Sequence, residues 1–346
     1  MDSKRSLKMK ILYSIQATGN GHISRAQEII PLLKQYGEVD ILLSGSNSEL
    51  SLPFEIKYRF SGLSLFYKKS GKLDELRILK QIHPKKLVKD AKNIPVESYD
   101  IVLIDYEFIS QLACKIKKIP FVHFGHQASF HSNETSKPPK KSKWKQWILK
   151  NYCKSKQNIG FHFEQPEDWI FPPVIKDVLW QANPSDRGHI SVYLPHYALI
   201  QFKKYFYGLN KTQFHIFSKE IDTPYSDLNL HFFPISHNEF NQSLIHCHGV
   251  ICSAGFETPS EALFLNKKLL VVPIRGQYEQ QYNAAALEKM GVLVVPRIDI
   301  HFALIVSNWL KSEQPIHPKP QFIQTPQLIE TIFHKIQNDW VNLKVN

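Results

Sequence analysis

The period of the hydrophobic pattern switches repeatedly along the chain. KILYSI, residues 10–15, is a short apolar run, and after it Ile23, Ala26, Ile29, Ile30 and Leu33 form one helical stripe. VDILLS, YDIVLID, a helical ISQLACKIKK and PFVHFG continue the alternation. A second series follows: HISVYLP, TQFHIFS, LHFFPI, HGVICSAG and KLLVVPI. Strands alternating with helices predict an α/β protein with parallel, doubly wound sheets. Between the two series, FEQPEDWIFPPVI carries three prolines and reads as a linker. From Gln327 on, Leu328, Ile329, Ile332 and Ile336 share one face of a terminal helix. The expected organisation is two Rossmann-like domains, 8–165 and 187–325, a linker at 166–186 and a helix at 326–346. Ligands of such sheets bind beyond the carboxyl ends of the strands. Gly19 to His22, Ser44 to Ser46, Asp105 and His126 all fall there.

Composition narrows this picture. The 346 residues suffice for two domains with real cores, and a 43% hydrophobic content is that of a soluble globular protein. A formal charge of +12 favours anionic partners. The four cysteines form no CxxC pair. His246 and His248 flank Cys247, a hint of metal, but Cys252 ends an apolar strand pattern and reads as core. Reduced thiols fit a cytoplasmic protein. MDSKRSLKMK has no signal-peptide apolar region, and no apolar run approaches the roughly 20 residues of a membrane span.

GNGH, residues 19–22, opens a helix after the first strand. It does not complete G-x-G-x-x-G, because Ser24 stands three positions after Gly21. The second strand ends in Leu43, Ser44 and Gly45, without the acid that a dinucleotide ribose needs, so NAD is not expected. His22 reads instead as a general base, with Asp105, at the end of IVLID, to orient its other ring nitrogen. His22 as a simple helix cap is the alternative. In the second half, VICS is a strand, SAGF a turn and TPSEALFL a helix start. Backbone N–H groups from Ser253 to Thr258 could hold a diphosphate. Glu261, about one turn in, could accept both ribose hydroxyls. Gln277, Glu279, Gln280, Gln281 and Asn283 could read sugar hydroxyls, although Gln281 could be solvated. Glu257 reads as a solvated first-turn acid.

The stretch resembles the donor signature of GT-B glycosyltransferases. It is closest to the branch with the lipid II-forming N-acetylglucosaminyl transferase and the UDP-glycosyltransferases. That pattern is roughly S-x-G-x-x-T-x-x-E, a strand, then P and a loop ending Q-x-x-N-A. Ser253, Gly255, Thr258, Glu261, Pro273, Gln280, Asn283 and Ala284 stand in step with it. GNGH matches the family's G-x-G-H loop, about 230 residues upstream. The resemblance implies a GT-B fold, with two parallel sheets facing across a cleft and a C-terminal helix that can cross back. It implies an inverting, metal-independent sugar transfer to an acceptor hydroxyl, with a nucleotide-diphosphate sugar as co-substrate and no cofactor. His22 and Asp105 are the implied catalytic pair. Gly19, Gly21, Ser253, Ala254, Gly255, Thr258, Glu261, Gln280 and Gln281 fall on the donor side, with Gly255 and Thr258 at the diphosphate. His126 and Gln127 fall on the acceptor side. Two departures stand out: VYLPHYA, with Leu194, Pro195 and His196, where relatives often have a glycine-rich loop, and Asn266–Lys267 in place of a glycine.

Residues 136–156, SKPPKKSKWKQWILKNYCKSK, interleave lysines with Trp144, Trp147, Ile148 and Tyr152. Such a helix suits an anionic membrane face, as a lipid-linked acceptor would require. A solvated surface helix is the plainer reading. Nucleic acid is not expected, because no RNA-reading module accompanies the segment. The expected location is the cytoplasm, peripherally on the inner face of the plasma membrane. A nucleotide-sugar 2-epimerase and a non-catalytic nucleotide-sugar sensor share the architecture and are the rival readings.

Overall fold

The computed structural model describes residues 8–17, 19–45, 52–62, 83–139, 142–314 and 320–345. Ser46, Lys140, Lys141 and Asn346, which figure in the expectations above, lie outside the described residues. The first sheet holds β1 (Met9–Gln16), β2 (Gly37–Ser44), β3 (Tyr58–Phe60), β4 (Ile101–Asp105), β5 (Val122–Gly125), β6 (Gln157–Phe161) and β7 (Ile170–Phe171), in the order β3-β2-β1-β4-β5-β6-β7. All its pairings are parallel. Central strands such as β4 are covered on both faces, which is why IVLID is a continuous apolar run rather than an alternation.

The second sheet holds β8 (Ile190–Tyr193), β9 (Phe214–Phe217), β10 (Tyr225–Asp227), β11 (Leu230–Phe233), β12 (Gly249–Cys252), β13 (Lys268–Val271) and β14 (Leu293–Val294), in the order β10-β11-β9-β8-β12-β13-β14. It is parallel except for the β10–β11 pair at one edge. Both sheets reverse their strand order at the first strand of the half. In each, the crevice beyond the strand ends at that point is the place for a ligand.

Two details differ from the sequence reading. β7 adds to the first sheet from within the stretch expected as linker. The lysine-rich segment yields a helix only over Lys143–Asn151, and β6 follows directly. The Asn266–Lys267 departure is accommodated: Asn266 takes φ +56° after helix Glu257–Phe264, a left-handed turn that asparagine tolerates in place of glycine.

The terminal helix, Thr325–Val345, returns to the first half. Leu328, Ile329, Ile332, Phe333 and Ile336 are buried on one face. Phe333 stacks on Tyr36 at 4.0 Å, and Lys335 Nζ lies 2.7 Å from Asp168. One buried cluster runs without a break from Ile23, Ala26 and Ile30 through Ala254 and Ala262 to these helix residues. The halves therefore share apolar surface as well as polar contacts.

Candidate active site

The site is built where the strand ends of the two sheets meet. β1 ends at Gln16, and Gly19, in extended backbone (φ −171°), precedes helix Asn20–Leu33. That geometry sets His22 in the helix's first turn and Arg25 one turn into it. β4 ends at Asp105, which is fully buried. His22 Nδ1 lies 2.9 Å from Asp105 Oδ1, and Arg25 Nη2 lies 2.8 Å from both carboxylate oxygens. A carboxylate can only accept, so His22 carries its hydrogen on Nδ1 and leaves Nε2 with a lone pair. Gln127 Nε2 stands 3.4 Å from that Nε2. Gly125, at the end of β5, is required here, because a Cβ would come within 2.4 Å of Asp105 Oδ1.

The second half contributes helix Glu257–Phe264, which follows β12 and the turn Ser253–Phe256. No side chain caps its first turn, so its leading N–H groups stay available to an anion. Glu257 Oε1 accepts a hydrogen bond from Arg25 Nη1 across the cleft. Gly21 faces this contact: a Cβ there would lie 3.4 Å from Glu257 Cγ. One turn on, Glu261 Oε1 pairs with Lys176 Nζ at 2.9 Å. Asn20 Nδ2 donates to Tyr193 Oη at 3.0 Å, another bond between the halves.

The carboxyls differ in character. Burial alone would raise Asp105, but the adjacent Arg25 and His22 bring it down to about 2. Glu257 is pushed up to about 7, mainly by burial, against the pull of Arg25 and His22. Glu279, hydrogen-bonded to Gln127, is also raised by burial. One guanidinium is thus shared by a firmly ionised carboxylate and one that can take a proton near neutrality.

Several expected residues gather here. His22 and Asp105 are in direct contact, with Gln127 beside them. Gly21, Thr258 and Glu261 line a cavity with Asn20, Lys176 and Glu257. Ser253 and Ala254 are buried in the turn, and Gly255 is half-buried there. Gln281 is half-buried on helix Tyr278–Lys289. Others stand differently. Gln280 is buried, and its Oε1 accepts from Ile274 N at 2.9 Å, so its oxygen braces the preceding loop. His126 has both ring nitrogens engaged, Nδ1 with Phe161 O (2.8 Å) and Nε2 with Asn283 Oδ1 (2.7 Å). It also stacks on Phe256 at 3.8 Å. That setting leaves no nitrogen for an acceptor and makes His126 a packing contact between the halves. Cys247 and Cys252 are buried, while His246 and His248 bond Ser185 and Asp186. Among the described residues no cluster of three or more His, Cys, Asp or Glu is placed to hold a metal ion.

The sequence reading missed Arg25 and Lys176 and took Glu257 as solvated. The cavity between the strand ends measures about 80 Å³. Pockets for drug-sized ligands hold roughly 300–1,000 Å³. A larger cavity of about 560 Å³ lies away from these groups, against Trp180, Pro184 and Phe264. Its lysine, Lys267, is already bonded to Ser185 O and Cys247 O, so it offers less chemistry.

The family described as Glycosyl transferase family 1 matches residues 9–308. No curated protein sequence matches the chain. Among solved structures, MurG of Acinetobacter baumannii is similar with a TM-score of 0.53 and 14% identity, over 94% of this chain and 99% of its own. Arabidopsis thaliana UGT89C1, solved with quercetin, is similar with a TM-score of 0.57 and 13% identity, over 95% and 94%. The glycosyltransferase SnogD from Streptomyces nogalater is similar with a TM-score of 0.51 and 14% identity, over 95% and 99%. At these identities the likeness is one of fold.

Proposed function

Because the chain belongs to glycosyl transferase family 1 and its reaction is a glycosyl transfer, we propose that it moves a sugar from a nucleoside-diphosphate sugar to an acceptor hydroxyl, with inversion and without a divalent cation. One observation carries the reading: the His22–Asp105 pair of the first half meets the uncapped start of helix Glu257–Phe264 in the second. Nε2 of His22 takes the acceptor's hydroxyl proton. The freed oxygen attacks the anomeric carbon, and the bond from that carbon to the diphosphate breaks. Charge developing on the leaving diphosphate faces the helix start, where backbone N–H groups stabilise it. Glu261 takes the ribose hydroxyls. Domain closure around the pair excludes water. UGT89C1 has been solved with UDP and with UDP-L-rhamnose, which supports a nucleotide-sugar donor here.

A thermal-shift panel of UDP, dTDP and GDP tests the donor. At 100 times its dissociation constant a ligand adds roughly 2.7 kcal/mol of stability. Stabilisation by one of the three, lost in Glu261→Ala, is the expected result. Stabilisation by none, or an undiminished shift in Glu261→Ala, overturns the assignment.

The acceptor reading extends to a lipid-linked hydroxyl. Helix Lys143–Asn151 leaves Trp144 56%, Trp147 66% and Ile148 43% exposed, at i, i+3 and i+4 on one face. Leu149 is buried and clusters with Tyr278 and Tyr282 of the second half. Lysines surround the exposed face, so an anionic bilayer suits both its charge and its apolar tip. The double variant Trp144→Ala/Trp147→Ala should lower binding to phosphatidylglycerol vesicles on the order of tenfold or more. Equal flotation of wild type and variant would sink the membrane reading. No helix among the described residues is long and apolar enough to cross a membrane.

A further inference from the structure

Two carboxylates one turn apart on a single helix each hold a cation that comes from outside the helix. Glu257 holds Arg25, from the first half, and Glu261 holds Lys176, from the connection between halves. Both carboxylates and Lys176 line the cavity; Arg25, itself buried, adjoins it through its contact with Glu257. We propose that Arg25 and Lys176 form a two-cation clamp for the diphosphate of the donor, and that Glu257 and Glu261 hold these cations until the diphosphate takes them over. The proposal rests on the nucleotide-sugar reading and adds the residues that meet its charge.

Three features make the exchange physically reasonable. First, Arg25 is anchored independently of Glu257. Asp105 grips Nη2 through both oxygens, so Nη1 can change partner without the side chain being lost from its place. The buried Nε of Arg25 has no hydrogen-bond partner, a spare donor on the same guanidinium. Second, β8 does not run into a glycine-rich loop. Leu194 and His196 are buried, and Pro195 has no N–H to offer, so that turn supplies little to a phosphate. Side-chain cations fill the need that backbone amides fill elsewhere. Third, Glu257 lies close to its point of protonation, pushed up to about 7 by burial. It can let Arg25 go by taking a proton, at little cost near neutral pH. Lys176 keeps Asn241 Oδ1 at 3.1 Å as a second partner, which holds its ammonium near the cavity when Glu261 turns to the ribose.

The clamp predicts a difference between a nucleoside diphosphate and its nucleoside. UDP, dTDP and GDP, each paired with its parent nucleoside, are titrated calorimetrically into wild type, Arg25→Gln, Lys176→Gln and Glu257→Gln. Arg25→Gln and Lys176→Gln should weaken the best-binding diphosphate roughly ten- to hundredfold, and its nucleoside by less than about threefold. Glu257→Gln, which loosens the hold on Nη1, should leave diphosphate binding as tight or tighter. Equal weakening of diphosphate and nucleoside would make the two cations mere struts and overturn the clamp. So would a loss in Glu257→Gln matching that in Arg25→Gln. Arg25→Gln leaves Asp105 without its cation, so Lys176→Gln and Glu257→Gln decide the matter if that variant does not fold. If wild type binds no diphosphate, the donor reading itself fails. If it binds a diphosphate no better than the nucleoside, the donor reading stands and the clamp falls.

Discussion

His22→Ala is expected to lower kcat for sugar transfer by about 10²–10⁴, while the nucleoside diphosphate binds nearly as before. The ring is held through Nδ1 by Asp105 at 2.9 Å, which fixes the tautomer and turns Nε2 toward the cleft. Alanine removes the proton acceptor and leaves the fold of the helix start unchanged, because Gly19 and Asn20 set that start and His22 is only partly buried. Initial rates with donor and acceptor, together with calorimetry of the diphosphate alone, separate the two effects. A kcat within tenfold of wild type would remove His22 from the chemistry. A sensor protein would show unaltered output, and an epimerase would consume donor without any acceptor.

The second large effect concerns stability. Asp105→Ala should destabilise the protein by about 3–5 kcal/mol, because it strands the Arg25 guanidinium in the interior with Glu257 as its remaining carboxylate partner. The melting transition should fall by roughly 6–20 °C. Asp105→Asn keeps the shape and a hydrogen-bond acceptor and should cost less, though it still removes the charge. The pH dependence has a definite sign. Asp105 sits at about 2 in the folded protein, below the ordinary 3.8, so its ionised form favours folding. That contribution is fully present above about pH 4 and is lost as pH falls through about 2. The gap between wild type and Asp105→Asn should narrow over that window. A melting temperature of Asp105→Ala within a degree or two of wild type would show that the cluster is not what holds Arg25.

Much of this arrangement was legible in the order of residues. Long buried strands such as KILYSI and IVLID announce themselves, because a parallel sheet covered on both faces needs an unbroken apolar run. The strand ends then locate Gly19 to His22 and Asp105 without any coordinates. Short elements did not show: β7 and β14 have two residues each, and β3 and β10 three. Runs that short carry no period and exist only because a neighbouring strand completes them. The charged part of the site was hidden for a different reason. Arg25 sits between Ser24 and Ala26 on an amphipathic helix and reads like any surface cation, and Glu257 reads like a first-turn acid in water. Their pairing joins positions 232 residues apart, and only the meeting of two sheets brings it about. His126, expected at the site from its place after β5, stacks on Phe256 of the other half, a contact that no local pattern announces.

The return of helix Thr325–Val345 onto the first half changes what kind of assembly the two halves are. The chain passes from one to the other twice, so the second half is topologically an insertion into its companion rather than a bead on a string. Two connections, rather than one, limit how far the halves can separate. Grafting the second half from a relative would accordingly need two splice points, and cutting the chain before Thr325 would strip a covered apolar face from the half that carries His22.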